Sequence, residues 1–312
     1  MNLVDLPQNI LSRIALVHHD TIPPLAMTSR QIRAALLGDL RTATCLEHKG
    51  KIPVDVIAKS HSLLKAFHRY YATDILHRAV GASGSRKSIS YLLDTIDEDN
   101  MRDRKTYLFQ IIMTEGHLAM FKSLVVKFQL TPEDARADGN YALRCSAMYG
   151  HLDVVKYLVE QFQLTAEDAR AGYNFAFRCS AGNGHLDVVK YLVEQFQLTA
   201  EDARAVNNYA LRYSARFGHL DVIQYLVEEF QLTLGDARAH NNYALRYSAR
   251  FGHLDVVQYL VEEFGLTAED ARAVDNFALI ASAEYGYLDV VKYLVEEFQL
   301  TLGDARAQDN YA

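Results

Sequence analysis

Apolar positions in the stretch 151–162 fall at helical spacing. Leu152, Val155, Leu158, Val159 and Phe162 lie three, four or seven residues apart, while Asp153, Lys156 and Glu160 occupy the opposite face. That pattern predicts an amphipathic helix from His151 to Phe162. The preceding segment, Tyr141–Tyr149, carries a narrower stripe of Leu143, Ser146 and Ala147. Its small residues predict a helix that sits close to its neighbours. Asn140 reads as the N-cap of this helix. Gly150 ends it, because glycine tolerates the positive φ of a helix C-terminus. The connector Thr165-Ala166-Glu167-Asp168 has the form of a capping box, with two acids on the positive end of the helix dipole. A third, short helix of about two turns at most is expected there.

The whole pattern repeats every 34 residues, with the turn glycine at Gly116, Gly150, Gly184, Gly218, Gly252 and Gly286. The capping asparagine recurs at Asn174, Asn208, Asn242, Asn276 and Asn310, with Thr106 ahead of them. The connector box recurs as Thr199 with Asp202, Thr233 with Asp236, Thr267 with Asp270 and Thr301 with Asp304, and Thr131 precedes Pro132 in an earlier copy. A degenerate copy is traceable at Asp74-Ile-Leu-His-Arg-Ala-Val and Ser88-Ile-Ser-Tyr-Leu-Leu. Seven units follow, roughly 73–105, 106–139, 140–173, 174–207, 208–241, 242–275 and 276–309. Such a period marks a solenoid, in which each unit buries its apolar face against neighbours. The expected class is all-α, an elongated helical-repeat stack preceded by a small helical bundle. Asn310-Tyr311-Ala312 reads as the opening of one more helix, so either the natural chain continues or the last unit keeps an apolar flank.

Composition narrows the functions. A net charge of −7 gives no electrostatic basis for nucleic-acid binding. No signal segment and no apolar run approaching 18 residues is present, so neither secretion nor membrane insertion is expected. Cys45, Cys145 and Cys179 are too few and too irregular for a disulfide framework, which points to a reducing compartment, cytoplasmic or nuclear. The segment Gly81-Ala-Ser-Gly-Ser-Arg-Lys87-Ser88 imitates a phosphate loop, but Arg86 stands where a glycine belongs and no strand leads into it. His117, His151, His185, His219 and His253 recur one repeat apart, too far for one metal ion, and read as helix-start residues bonding the neighbouring turn. No catalytic constellation, cofactor site or metal site stands out, so no enzyme activity is expected.

The run Tyr141-Ala-Leu-Arg-Cys-Ser-Ala-Met-Tyr-Gly-His-Leu-Asp-Val-Val-Lys-Tyr-Leu-Val resembles the helix pair of the ankyrin repeat. In that family Thr-Pro-Leu-His opens the first helix, and Gly-His before a Val-Val-x-x-Leu-Leu run forms the second. Here Tyr-Ala-Leu-Arg stands at Tyr141, Tyr209 and Tyr243, and Phe-Ala-Phe-Arg at Phe175. The Thr-x-x-Asp connector replaces the family's β-hairpin finger, so an almost wholly helical variant is expected. The resemblance implies a monomeric protein-binding scaffold.

Residues 1–41 differ from the repeats. Leu3-Val-Asp-Leu6-Pro7-Gln-Asn-Ile10-Leu11-Ser-Arg-Ile14 and Leu25-Ala-Met-Thr-Ser-Arg-Gln-Ile-Arg33 resemble an F-box, a bundle that grips the small adaptor subunit of cullin-type ubiquitin ligases. The resemblance implies that Leu6, Pro7, Ile10, Leu11 and Ile14 bind that adaptor and that the protein is a substrate receptor. A binding scaffold in which the bundle only caps the stack is the alternative. Residues 42–72 read as a helical bridge into the repeat array at 73–312.

Where the copies differ, a binding face is expected. The pair before the turn glycine varies most, as Met148-Tyr149, Gly182-Asn183, Arg216-Phe217, Arg250-Phe251 and Glu284-Tyr285. The ankyrin resemblance places these positions on the concave surface. Arg144, Arg178, Arg212 and Arg246 form one basic row, and Arg136, Arg170, Arg204, Arg238, Arg272 and Arg306 another. Both rows are open to two roles: binding an acidic partner, or pairing with acids of the same connectors.

Overall fold

The computed structural model describes residues 112–114 and 116–306. The expected bundle at 1–41, the bridge at 42–72 and the unit at 73–105 lie outside the described residues. The chain divides into two units between Gln129 and Leu130. Within the first, α1 (Leu118–Lys127) buries Met120, Phe121, Leu124 and Val125. The second unit runs α2 (Pro132–Met148), α3 (Leu152–Phe162), α4 (Ala166–Gly182), α5 (Leu186–Phe196), α6 (Ala200–Ala203), α7 (Ala205–Arg216), α8 (Leu220–Phe230), α9 (Leu234–Ala237), α10 (Ala239–Arg250), α11 (Leu254–Phe264), α12 (Ala268–Ala271), α13 (Ala273–Glu284), α14 (Leu288–Phe298) and α15 (Leu302–Ala305). There is no strand among the described residues, and the helical-repeat solenoid expected from the 34-residue period is the observed class.

Each repeat contributes a first helix, a second helix and a connector. The first helices pack in series, α2 on α4, α4 on α7, α7 on α10 and α10 on α13, and each second helix backs the first helix of its own repeat. Close approach of the first helices depends on Ala and Ser. The buried Ser214 hydroxyl donates to the carbonyl of Ala181 in the preceding repeat at 2.8 Å. In α3 the core is Val154, Val155, Leu158, Val159 and Phe162, and α5, α8 and α11 repeat it. Val154 is therefore a core residue, whereas Leu152 is only half-buried, which shifts the apolar stripe by part of a turn. The second helix touches both its own first helix and its neighbours, so its buried arc is wide. Each fully buried Val, Leu or Phe contributes about 1.5–3 kcal/mol.

The turn between the helices is a Schellman motif. The His151 amide donates to the Ser146 carbonyl and the Gly150 amide to that of Ala147. The glycine serves two ends. At Gly184 φ is +78°, and a Cβ there would lie 2.5 Å from Nδ1 of His219 in the next repeat. The ring also bonds the turn it covers: His185 Nε2 lies 3.0 Å from the Met148 carbonyl and His253 Nε2 3.1 Å from that of Arg216. Since a carbonyl only accepts, Nε2 carries the proton in both. Gly286 has the same φ, +79°, with nothing near its absent Cβ. Gly184→Ala should therefore destabilise the protein by about 1 kcal/mol from φ alone plus the cost of moving the ring. Gly286→Ala should show only the φ cost, a difference measurable by urea denaturation.

The connectors join one repeat to the next through an aspartate. Asp202 accepts from the Thr199 amide at 2.9 Å and hydroxyl at 3.2 Å, closing the capping box. The same carboxylate accepts Nε and Nη2 of Arg170 from the preceding repeat, both at 2.9 Å, and Nδ2 of Asn174, which opens its own repeat, at 3.1 Å. Arg136–Asp168, Arg204–Asp236, Arg238–Asp270 and Arg272–Asp304 repeat the pair at 2.6–2.9 Å. These connector arginines thus pair with the acid one repeat onward, not with acids of their own connector. Burial pushes the Asp202 carboxyl up, but bonds from Arg170 and the Thr199 amide outweigh it and hold it below its ordinary value; Asp168, Asp236 and Asp270 are likewise held down.

Asp202→Ala removes a cap, a bidentate pair and an amide bond together, and should cost about 2–3 kcal/mol. Arg170→Ala should cost about 1 kcal/mol or less, because that side chain is 39% exposed and leaves the cap intact. Because the folded carboxyls release their protons more readily than the unfolded ones, the unfolded chain binds more protons below pH about 4. The connector contribution should be fully present above that pH and be lost on further acidification, as a pH series of melting temperatures would show.

Candidate functional site

The segment between each connector and first helix changes hand. Val206, Asn207 and Asn208 have φ of 53°, 54° and 56°, and the same left-handed turn recurs at 138–140, 172–174, 240–242 and 274–276. Left-handed conformation costs about 1–2 kcal/mol per non-glycine residue. Asn140, Asn174, Asn208, Asn242 and Asn276 are therefore not N-caps, while Thr106 and Asn310 lie outside the described residues. An N-cap needs extended backbone and a side chain accepting from the helix, whereas Asn208 is left-handed, is buried, and has an Oδ1 with no donor. Nδ2 of Asn174 and of Asn208 donates forward instead, to the Asp202 and Asp236 carbonyls at 3.4 and 3.5 Å.

The first-helix arginines hold this turn closed. Nε of Arg212 donates to the Asn207 carbonyl at 2.6 Å and Nη2 to that of Val206 at 3.1 Å. Arg246 and Arg178 make the same pair of bonds, and Arg144 makes one, to the Asp138 carbonyl. This row takes neither role left open by the sequence. It has no carboxylate partner and, at Arg178, Arg212 and Arg246, too little exposed surface to offer an acidic ligand. Burial draws all three guanidinium groups downward, while aromatic rings of the next repeat cover them: Arg178 lies 4.8 Å from the Tyr209 centroid and Arg212 4.9 Å from that of Tyr243. Val206 shows what remains of the strain, being β-branched, left-handed and 44% exposed. Val206→Gly should raise stability by about 1 kcal/mol in thermal or urea melts.

The variable pairs predicted as a site do form one row along the C-terminal ends of the first helices. Tyr149, Phe217, Phe251 and Tyr285 are exposed large hydrophobic residues, at 45%, 47%, 36% and 51%. Asn183 donates to the Met148 carbonyl at 3.2 Å, which links two repeats. Arg216 lies 5.3 Å from the Phe251 centroid and donates to the Tyr243 hydroxyl at 3.2 Å. Arg250 lies 5.2 Å from the Tyr285 centroid and donates to its hydroxyl at 2.9 Å. Glu284 is exposed, and Gly182 packs toward Tyr213 of the next repeat. Leu6, Pro7, Ile10, Leu11 and Ile14 lie outside the described residues.

Sequence reasoning missed the other half of this face. Tyr209 and Tyr213 stack at 3.9 Å, Tyr243 and Tyr247 at 4.0 Å, and Tyr213 reaches Tyr243 at 5.8 Å. The spacing 209, 213, 217 is one side of a helix, so the tyrosines and Phe217 form a continuous aromatic band. A signal was present: Tyr213 and Tyr247 occupy the positions of Cys145, Cys179 and Ala281, one turn before the variable pair. Among the described residues no cluster of three His, Cys, Asp or Glu side chains could hold a metal. No described helix is long and apolar enough to cross a membrane.

A family profile described as Ankyrin repeats (3 copies) matches residues 76–168, 108–202 and 230–304. The chain belongs to the ankyrin-repeat family. Its class is accordingly a protein–protein interaction scaffold. Among solved structures, an ankyrin repeat family protein from Legionella pneumophila is similar at 17% identity, covering 91% of this chain and 95% of that one with a TM-score of 0.45. No curated protein matches the chain.

Proposed function

We propose that this scaffold seats a partner protein on the band that ends at Met148, Tyr149, Asn183, Arg216, Phe217, Arg250, Phe251, Glu284 and Tyr285. The observation that carries the reading is the row of exposed aromatic side chains beside two arginines without carboxylates. Solvent-exposed aromatic residues and arginines are the usual energetic anchors of interfaces. Here the guanidinium groups are already fixed between rings, so little ordering cost accompanies binding. The chain acts as a non-enzymatic monomer, cytoplasmic or nuclear. Replacing Phe217 and Phe251 by Ala removes exposed surface and should leave the melting temperature within a few degrees. Partner affinity should fall by about 2 kcal/mol or more, and an unchanged affinity overturns the assignment.

The finer reading is a substrate receptor of a cullin-type ubiquitin ligase. It rests on the pattern at 1–41, with 42–72 as the bridge and 73–312 as the array. A pull-down with the ligase's small adaptor subunit tests it. The native chain should retain the adaptor, and a Leu6→Asp, Ile10→Asp variant should lose it while staying folded. Absence of adaptor binding, with strong destabilisation of that variant, leaves a scaffold whose bundle is only a cap.

A further inference from the structure

The proposed binding face has a charge order that specifies its ligand. Taking one position per repeat, the row reads Met148, Gly182, Arg216, Arg250, Glu284. The described ion pairs go to the connector arginines, and neither Arg216 nor Arg250 has a carboxylate partner. The first-helix segments 141–149, 175–183, 209–217 and 243–251 contain no Asp or Glu at all, in a chain of net charge −7. Two cations are thus presented on an acid-free strip, one repeat apart, with an exposed anion one repeat beyond.

Spacing selects the backbone. Packed helices lie about 8–10 Å apart. A polyproline-type chain advances about 9.3 Å in three residues and returns to the same face. An extended strand returns after about 6.7 Å and a helix after about 5.4 Å, both too short, and two helical turns of about 10.5 Å are too long. The rings beside the arginines add a second match, since proline-rich segments dock on aromatic-lined surfaces.

We propose that Arg216, Arg250 and Glu284 take a proline-rich, extended peptide carrying carboxylate, carboxylate and cation at three-residue intervals. This rests on the protein-binding reading of the same face. A single-stranded nucleic acid fits less well. Tyr209 and Tyr213 stack on one another at 3.9 Å and Tyr243 and Tyr247 at 4.0 Å, so a base would have to stack on the exposed Phe217 and Phe251 rather than between tyrosines. Glu284 also stands where a third phosphate would fall.

The test is fluorescence anisotropy of the full chain with two labelled peptides, Glu-Pro-Pro-Glu-Pro-Pro-Lys and its reverse, since either direction satisfies the spacing. One of them should bind about tenfold more tightly than Glu-Pro-Glu-Pro-Pro-Pro-Lys, which has the same composition and broken spacing. Arg216→Gln with Arg250→Gln should reduce binding about tenfold. Those arginines also support the rings, so the deciding variant is Glu284→Lys, at an exposed position. It should weaken the peptide about threefold and regain affinity when the peptide's Lys becomes Glu. Equal affinity for the shifted spacing, no recovery in the charge swap, or tighter binding of an oligouridylate overturns the proposal. If no peptide binds but Phe217→Ala with Phe251→Ala still loses the natural partner, the ligand chemistry fails and the protein-binding reading stands. If neither change matters, both fail.

Discussion

At each junction one aspartate carboxylate does the work of a cap and a clasp. Asp202 ends the connector's orphan amides through Thr199, receives Arg170 side-on, and holds Asn174, so three chain segments from two repeats meet on two oxygens. A carboxylate with about four acceptor sites is saturated by that set. Since the pair joins neighbours 32 residues apart, the interaction that starts a connector helix also fixes the next repeat on the last. Four-residue connector helices such as α6 and α9 are too short to stand alone. They exist because the carboxylate ties them down.

That clasp lets the chain tolerate its left-handed turn. Three successive residues at φ near +55° are costly, and Val206 and Val274 make them costlier. The cost is met locally. Arginines from the first helix bind the turn's carbonyls, and the following repeat's rings cover those arginines. Buried guanidinium groups without carboxylates are tolerable because carbonyl oxygens and ring faces share the charge. The aromatic band and the turn are therefore one structure, and the same packing that relieves strain also holds Arg216 and Arg250 for a ligand.

Much of this was legible in the chain. The 34-residue period, the turn glycine and the Thr-x-x-Asp box all encode local geometry, and each sits where its pattern places it, while the second-helix stripe departs from its pattern at Leu152 and Val154. The histidine after the glycine was also legible as a bond to the neighbouring turn. What escaped was whatever depends on the next repeat. Arg170 offers no sign of preferring Asp202 over a nearer acid, because helix spacing is silent about stacking. Asn208 looks like a cap, since a residue suited to caps is also suited to left-handed backbone. Tyr213 was overlooked because its neighbours in register, Cys145 and Ala281, read as core. The site's exposed row could be found by comparing copies, but its arginines' cradle could not.

Neighbouring repeats are coupled through the carboxylate, and native-state hydrogen exchange of an Asp202→Ala chain measures that coupling most directly. The connector amides at 199–204 and the left-handed turn at 172–174 should lose protection together, since Thr199 and Asn174 both bond to that carboxylate. The second helix α11 (Leu254–Phe264), which does not touch it, should keep its protection. Loss confined to the connector, with the turn at 172–174 unchanged, would mean that Asp202 is only a cap and that the repeats are joined by apolar packing alone.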